Sequence, residues 1–280
     1  MWIAASVIAG AVALTAGLAA GTQHGTTRKR VVPPASVSWQ WVLGAPFEAN
    51  DPYQLGINRT TYEGRVAPAP LLYDIDGFST DAATVSALHD RGAIVVCYIE
   101  TGGWESYRPD AQLYPQSRLG LPIDGYPDER YVDIRSPLVF ERVAQRVRMC
   151  AEKGFDAIEP DIDDSYREIT GFPLTQSQNL AFNRRVAALA HSLGMSVALK
   201  NGDDVEFAAA MEPIVDFAVV EQCFEFGTCD SFRPFVQAGK AVLEVEYELD
   251  PSEFCSRANA MGFSAVRQSN NLEGGGTPCR

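Results

Sequence analysis

The sequence holds only three histidines, His24, His89 and His191, none near a cysteine, and no Cys-x-x-Cys pair. A zinc site at ligand spacing therefore has no motif behind it, and no Gly-punctuated calcium loop with a terminal Glu is present either. No Gly-x-Ser-x-Gly elbow occurs and no Ser-His-Asp or Cys-His constellation is visible, which argues against acyl transfer. No Gly-x-Gly-x-x-Gly follows the first strand-like segment, so a dinucleotide cofactor has no fingerprint. Positive charge is scarce: 23 Lys and Arg stand against 36 Asp and Glu, a formal net charge of -13. That imbalance excludes nucleic acid as a partner and favours a neutral or cationic ligand, although acidity also serves solubility alone.

What is present begins with an uncharged, almost wholly apolar stretch over residues 1–20, followed by the polar and basic GTQHGTTRKR. This reads as an export segment, either a cleaved signal peptide ending near Ala19 and Ala20 or a retained membrane anchor. Residues 21–35, with Arg28-Lys29-Arg30 and Pro33-Pro34, read as a linker. The protein is thus expected outside the cell or at the outer face of the membrane. Six cysteines, Cys97, Cys150, Cys223, Cys229, Cys255 and Cys279, suit an oxidising compartment. Cys223 with Cys229 is the easiest pair to close, Cys255 with Cys279 would tie down the C-terminus, and Cys97 and Cys150 are either bridged or simply buried.

From residue 36 to 280, helix and strand signals alternate. Ser136-Pro137 and Asp250-Pro251, a Thr175 to Gln178 capping box and terminal glycines at Gly92, Gly154 and Gly194 bound helices, each followed by an apolar run such as AIVVCYIE, DAIEPD or SVALKN. With WQWVL and LLYDID in front, and FAVVEQ, AVLEVEY and AVRQSN behind, eight strands are counted. The sequence predicts a single α/β domain, a slightly irregular (β/α)8 TIM-like barrel, with a turn-rich link in place of the first helix and an extra strand near Tyr131 to Ile134. A doubly wound open sheet is the fallback.

Several strand-like runs end in carboxylates: Asp74 and Asp76, Glu100, Asp161, Glu221 and Glu246. In a parallel barrel those ends open onto one mouth. The period of two puts Glu159 and Asp161 on one face, and Glu221 at the mouth two strands away. Two carboxylates across a cleft are what glycosidic cleavage requires: one protonates the leaving oxygen and the other attacks the anomeric carbon or activates water. His191 reads as a boundary residue rather than a base. Residues 101–131 form a long loop carrying Trp104, Tyr107, Tyr114, Tyr126 and Tyr131. Most such rings pack their own loop; Trp104, directly after Gly102-Gly103 off a strand end, is the one expected to stack on sugar.

WQWVL, YDIDGF, VVCYIETGGWESYRPDA, VDIRSP, KGFDAIEPDIDDSY, the stretch from TGFPLTQSQ to ALKNGDD, FAVVEQCFEFGTC and AGKAVLEVEY occur in this order. Over residues 38–280 the chain resembles the endo-α-1,4-polygalactosaminidase family, glycoside hydrolase family 114. The resemblance implies a barrel that hydrolyses polymers of α-1,4-linked galactosamine, a component of exopolysaccharide and biofilm matrix, as a monomer without cofactor or metal. Asp161 of EPD and Glu221 of VEQC match the family's catalytic pair, with Asp161 as nucleophile and Glu221 as acid/base. Asp74, Asp76, Tyr98, Trp104, Lys200, Asn201 and Glu246 fall in matching motifs as sugar-binding positions, and Glu159 joins them by facing inward. Lys200 is expected to pair with a cleft carboxylate. The chain departs from the family pattern at Ile162, where Asn is usual, at Glu100, where a small residue is usual, and at Val220. A glycosidase of the same fold on another polysaccharide, or a noncatalytic sugar-binding barrel, is the competing reading.

Overall fold

The computed structural model describes residues 29–280; the stretch read as an export segment and the first part of the one read as a linker lie outside the described residues. Eight parallel strands form the barrel: β1 (Trp39–Val42), β2 (Leu72–Asp76), β3 (Ile94–Glu100), β7 (Ala157–Asp161), β8 (Ser196–Lys200), β9 (Phe217–Glu221), β10 (Val242–Glu246) and β11 (Ser264–Arg267). A short β12 (Thr277–Pro278) pairs antiparallel with β11. Seven α-helices are present among the described residues, α1 (Ala82–His89), α2 (Pro137–Lys153), α3 (Gln176–Ser192), α4 (Val205–Met211), α5 (Cys223–Phe226), α6 (Arg233–Gln237) and α7 (Pro251–Met261).

The strands are short because turn chemistry bounds them and buried because both faces carry apolar side chains. One face fills the barrel with Trp39, Trp41, Leu72, Val96, Ala157, Ala198, Phe217, Val219, Leu243 and Val245. The other packs on the helices through Val95, Cys97, Ile158, Val197, Leu199, Ala218 and Val220 against Val143, Val147, Phe182, Val186 and Phe254. Helix starts follow local capping. Thr175 and Gln178 form the expected capping box on α3, Asp250 and Glu253 another on α7, and Pro137 opens α2.

The barrel seam between β11 and β1 is sealed by side chains. Trp39 Nε1 donates to the Ser264 carbonyl at 2.8 Å, Val37 N to Ser264 Oγ at 3.1 Å, and Gln268 Nε2 to the Trp41 carbonyl at 3.0 Å. The turn-rich link before β2 contributes Arg59, whose guanidinium reaches Gln40 Oε1 at 2.8 Å and the carbonyl of Trp39 at 3.0 Å. The missing first helix is thus replaced by an inserted cation and by the C-terminal tail, which the Cys255–Cys279 disulfide holds in place. Cys97–Cys150 staples β3 to α2, and Cys223–Cys229 closes the loop after β9.

The stretch read as a long loop is instead a three-stranded antiparallel sheet: β4 (Gly103–Glu105), β5 (Leu119–Ile123) and β6 (Tyr126–Val132). Asp124-Gly125 forms a two-residue hairpin turn between β5 and β6, with Gly125 at φ 81°, a conformation glycine adopts without a Cβ penalty. Close approach explains the two glycines before Trp104. A Cβ on Gly102 would stand 2.0 Å from the Ile162 carbonyl oxygen, so β4 crosses directly over the end of β7.

The described end of the linker lies on the opposite end of the barrel from the mouth. Arg30 pairs with Asp216 at 3.5 Å, and Ser196 Oγ donates to the Val31 carbonyl at 2.6 Å, both at the entrances of strands.

Candidate active site

Lys200 ends β8 with its side chain inside the barrel, and three carboxylates share its ammonium. Nζ lies 3.2 Å from Glu221 Oε2, 3.4 Å from Asp161 Oδ1 and 3.4 Å from Glu159 Oε1. It also stands over the Trp41 ring, 4.9 Å from its centroid. Burial pulls the ammonium's pKa down, but Asp161, Glu221 and Glu159 outweigh it and carry Lys200 well above the usual lysine value. The near oxygens of Asp161 and Glu221 are therefore no farther apart than the 3.4 Å and 3.2 Å contacts laid end to end.

Each carboxylate has further donors. Asp161 accepts from the Tyr98 hydroxyl at 2.7 Å and the Ile162 amide at 2.9 Å. Glu221 accepts from Asn201 Nδ2 at 2.9 Å and from the Tyr247 hydroxyl, while Asn201 Oδ1 takes the Glu221 amide at 2.9 Å. Burial and the facing carboxylates push both phenols well above the usual tyrosine value, so they remain donors.

Beneath this pair sits a second buried carboxyl couple. Glu159 is fully buried and accepts from Trp41 Nε1 at 3.2 Å. Burial raises it to about 7, with Lys200 opposing and Asp161 adding to the rise. Asp74, also fully buried, is pushed well above the carboxylate range by burial and by the neighbouring Glu159 carboxylate. Asp74 is thus the proton-bearing partner, and Glu159 the acceptor that supports Lys200 from below.

The cleft has two lobes that share Glu221, Tyr126 and Asn270. One, of about 490 Å³, is lined by Asp164, Arg167, Asp203, Phe226, Tyr247 and Glu248. The other, of about 380 Å³, is lined by Trp41, Tyr98, Glu100, Tyr107, Asp161 and Lys200. Asp161 belongs to the second lobe, whereas Glu221 stands where the two meet.

Of the positions singled out in the sequence, Asp161, Glu221, Lys200, Asn201, Tyr98, Glu159 and Asp74 come together here. Asp76 is tied up by Arg108 at 2.6 Å and by the Ser79 amide at 2.7 Å; burial works against it, yet these partners hold its pKa below the usual value. Glu246 does not line the cleft. It lies on the outer face of β10, fully buried, and accepts the Phe224 amide at 2.8 Å at the start of α5. Trp104 is also away from the cleft, its indole N–H bound to the Ala111 carbonyl at 2.9 Å within its own loop. Tyr107 and Tyr126, each 60% exposed, and Phe226, 66% exposed, are the rings at the mouth instead. Glu100 brings less charge than its type implies, because burial raises its carboxyl well above the usual range. His191 pairs with Asp216 at 2.8 Å, at the entrance side of the barrel.

Sequence reasoning missed Trp41 and Tyr247. Tyr247 follows the alternation that puts Leu243 and Val245 inside, so its inward aim was legible. Trp41 was not, because its indole partner is 118 residues away.

The model of Glycoside-hydrolase family GH114 matches residues 20–280. No curated protein matches the chain. Among solved structures the chain is similar to Aspergillus fumigatus Ega3 in complex with galactosamine, with 28% identity, 90% of this chain and 99% of that one covered, and a TM-score of 0.79. It is similar in fold to the glycoside hydrolase domain of PelA from Pseudomonas aeruginosa, at 14% identity, 88% and 98% coverage and a TM-score of 0.61. TtGalA, an α-galactosidase from Thermus thermophilus, shares the fold at 13% identity, 85% and 59% coverage and a TM-score of 0.51.

Proposed function

Because the chain belongs to glycoside hydrolase family 114, we propose that it cleaves α-1,4-linked galactosamine polymer internally, with Asp161 as nucleophile and Glu221 as acid/base. The observation that carries this reading is the sharing of the Lys200 ammonium by Asp161 and Glu221 across the mouth. That bridge keeps the two carboxylates close enough for the spacing of about 5–5.5 Å that retaining glycosidases use, and a retaining course is the one proposed.

The two lobes support the division of roles. A sugar in the Asp161 lobe presents its anomeric carbon to Asp161, and the glycosidic oxygen then crosses to the other lobe past Glu221. Asp161 forms the bond to carbon as the bond to the leaving oxygen breaks and Glu221 donates its proton to that oxygen. In the second half, Glu221 takes a proton from water, whose oxygen replaces Asp161 at carbon. Tyr98, Ile162 N and Lys200 hold Asp161 in place; Asn201 and Tyr247 do so for Glu221.

A polymer of free galactosamine is cationic, which suits the net charge of -13, and the likeness to Ega3, solved with galactosamine, supports the sugar. The apolar leader and three disulfides support export. Residues 30 and 31 lie at the end of the barrel away from the mouth.

The test is reducing-end release from partly deacetylated α-1,4-galactosamine polymer, beside Asp161→Asn and Glu221→Gln. Release by the wild type and its loss in both variants is expected. Binding of the polymer by all three proteins with no release would replace the hydrolase reading for this substrate with that of a sugar-binding barrel.

A further inference from the structure

A third carboxyl stands on the wall of the Asp161 lobe without a cation. Glu100 ends β3 in register with Asp161 on β7, lines the lobe and is only 2% exposed, and its Oε2 is buried with no hydrogen-bond partner. Glu129 of β6 lines the same wall and accepts from the Tyr107 hydroxyl at 2.7 Å. The two nearby arginines are committed elsewhere. Arg108 joins Asp76 at 2.6 Å and also Glu105; Arg146 joins Glu105 at 2.9 Å and Asp110 at 2.8 Å, touching Glu100 only at its main-chain carbonyl. Among the described residues, no ion pair satisfies Glu100 or Glu129.

The local sequence makes room for this carboxyl. A Cβ on Gly103 would lie 2.0 Å from Glu100 Oε2, so any side chain at 103 would displace it. Burial, with the Glu105, Glu129 and Asp161 carboxylates around it, pushes Glu100 well above the usual range, the response of a site short of one positive charge. A ligand that brought that charge would be drawn to it, and a neutral one would leave the carboxyl as it is.

We propose that Glu100, with Glu129 beside it, is an ammonium-binding position that takes the free 2-amino group of a galactosamine unit in the Asp161 lobe and selects deacetylated over N-acetylated stretches. The inference rests on the polygalactosamine reading. An N-acetyl group brings no charge and more bulk to the same wall, so the discrimination works by attraction to one substrate and by an unmet carboxyl with the other.

The experiment compares kcat/KM on fully deacetylated and on N-acetylated α-1,4-galactosamine oligosaccharides for wild type, Glu100→Gln and Glu129→Gln, with thermal unfolding of each. In Glu100→Gln the ratio of deacetylated to acetylated kcat/KM is expected to fall about 10- to 100-fold, the worth of one charge-assisted contact. An unchanged ratio, with both substrates affected alike or neither affected, overturns the inference while leaving the hydrolase reading intact. Should Glu100→Gln fail to fold, the same ratio in Glu129→Gln decides, with a fall expected. Wild type that cleaves neither oligosaccharide refutes the hydrolase reading instead. Calorimetric binding of the two oligosaccharides to wild type and Glu100→Gln then decides the inference: weakening of at least tenfold confined to the deacetylated one supports it, and equal binding overturns it.

Discussion

Replacing Lys200 by Met removes the one positive charge among Glu159, Asp161 and Glu221 while keeping most of the side chain's bulk. At an effective dielectric near 20, each unit-charge contact at 3.2 to 3.4 Å is worth about 5 kcal/mol. The protein need not lose that sum, because the carboxyls can retain protons instead. In the wild type, burial already holds Glu159 at about 7, with Lys200 opposing the rise. Without the ammonium, the folded-state pKa of Glu159 climbs further above the unfolded carboxyl value of about 4.3. Carboxyls raised in this way bind more protons folded than unfolded. Their contribution is fully present below the unfolded value and is lost as pH rises through the folded one. The destabilisation of Lys200→Met therefore grows with pH. Loss of one partner in a buried ionic cluster points to roughly 3–5 kcal/mol at pH 8, about 10 °C in Tm, and to less than half of that at pH 5. Reducing-end release at pH 7 falls at least about 100-fold, since about 3 kcal/mol of lost support for the pair corresponds to that factor. Thermal unfolding of both proteins at the two pH values is the assay. A Tm deficit of the same size at pH 5 and pH 8 would refute the electrostatic account and reduce Lys200 to packing.

Tyr247→Phe deletes the phenol that donates to Glu221 without opening a cavity, so kcat should fall about 10- to 100-fold with KM little changed, read from initial rates on the oligosaccharide. Glu244 is buried against Glu246 on the outer face of β10, and burial followed by that neighbour raises its pKa well above the usual range. Its stability contribution is lost as pH rises through that raised value, so Glu244→Gln should raise Tm at pH 8 by about 2–4 °C, or about 1 kcal/mol, and leave it nearly unchanged at pH 4; an equal gain at both values would sink the argument. Loop-closure entropy ranks the disulfides. Removing Cys97–Cys150, whose sulfurs are 53 residues apart in sequence, should cost about 4 kcal/mol, and removing Cys223–Cys229, 6 apart, about 2 kcal/mol, measured by denaturant unfolding of the double alanine variants.

The barrel was legible because its signals are local. Each strand is a short apolar run closed by a polar residue, and capping at Thr175, Pro137 and Asp250 marks helix starts within a few residues. The site was legible where alternation within one strand decides, as for Glu159 and Asp161. It failed at Glu246, where the terminal carboxylate drew attention while the inward parity of Leu243 and Val245 pointed to Tyr247. The sheet formed by β4, β5 and β6 was read as loop although Asp124-Gly125 sits between strand-like flanks, because Pro122 and Pro127 mask the alternation around it. Trp104 and Arg108 were beyond sequence, since what each side chain meets is set by how β4 folds back over β7.

The three side chains that converge at the mouth share one backbone device. Asp161, Lys200 and Glu221 are each the last residue of a strand, and each is followed by a non-glycine residue in the left-handed region: Ile162 at φ 59°, Asn201 at φ 51° and Gln222 at φ 54°. Such conformations cost on the order of 1–3 kcal/mol and persist only where surrounding contacts demand them. Here the demand is visible. The turn at Ile162 aims its amide at Asp161 Oδ1, and the turn at Asn201 brings its side chain to both the carboxylate and the amide of Glu221. The cost is greatest at 162, where the residue in the left-handed region is β-branched. The Ile162 carbonyl also faces Gly102 so closely that no side chain fits there, and its side chain reaches toward Gly103, where the Glu100 carboxyl lies. The three departures from regular strand geometry thus end β7, β8 and β9 abruptly and hold one ammonium between two carboxylates, which a continued strand, turning its next side chain outward, could not do.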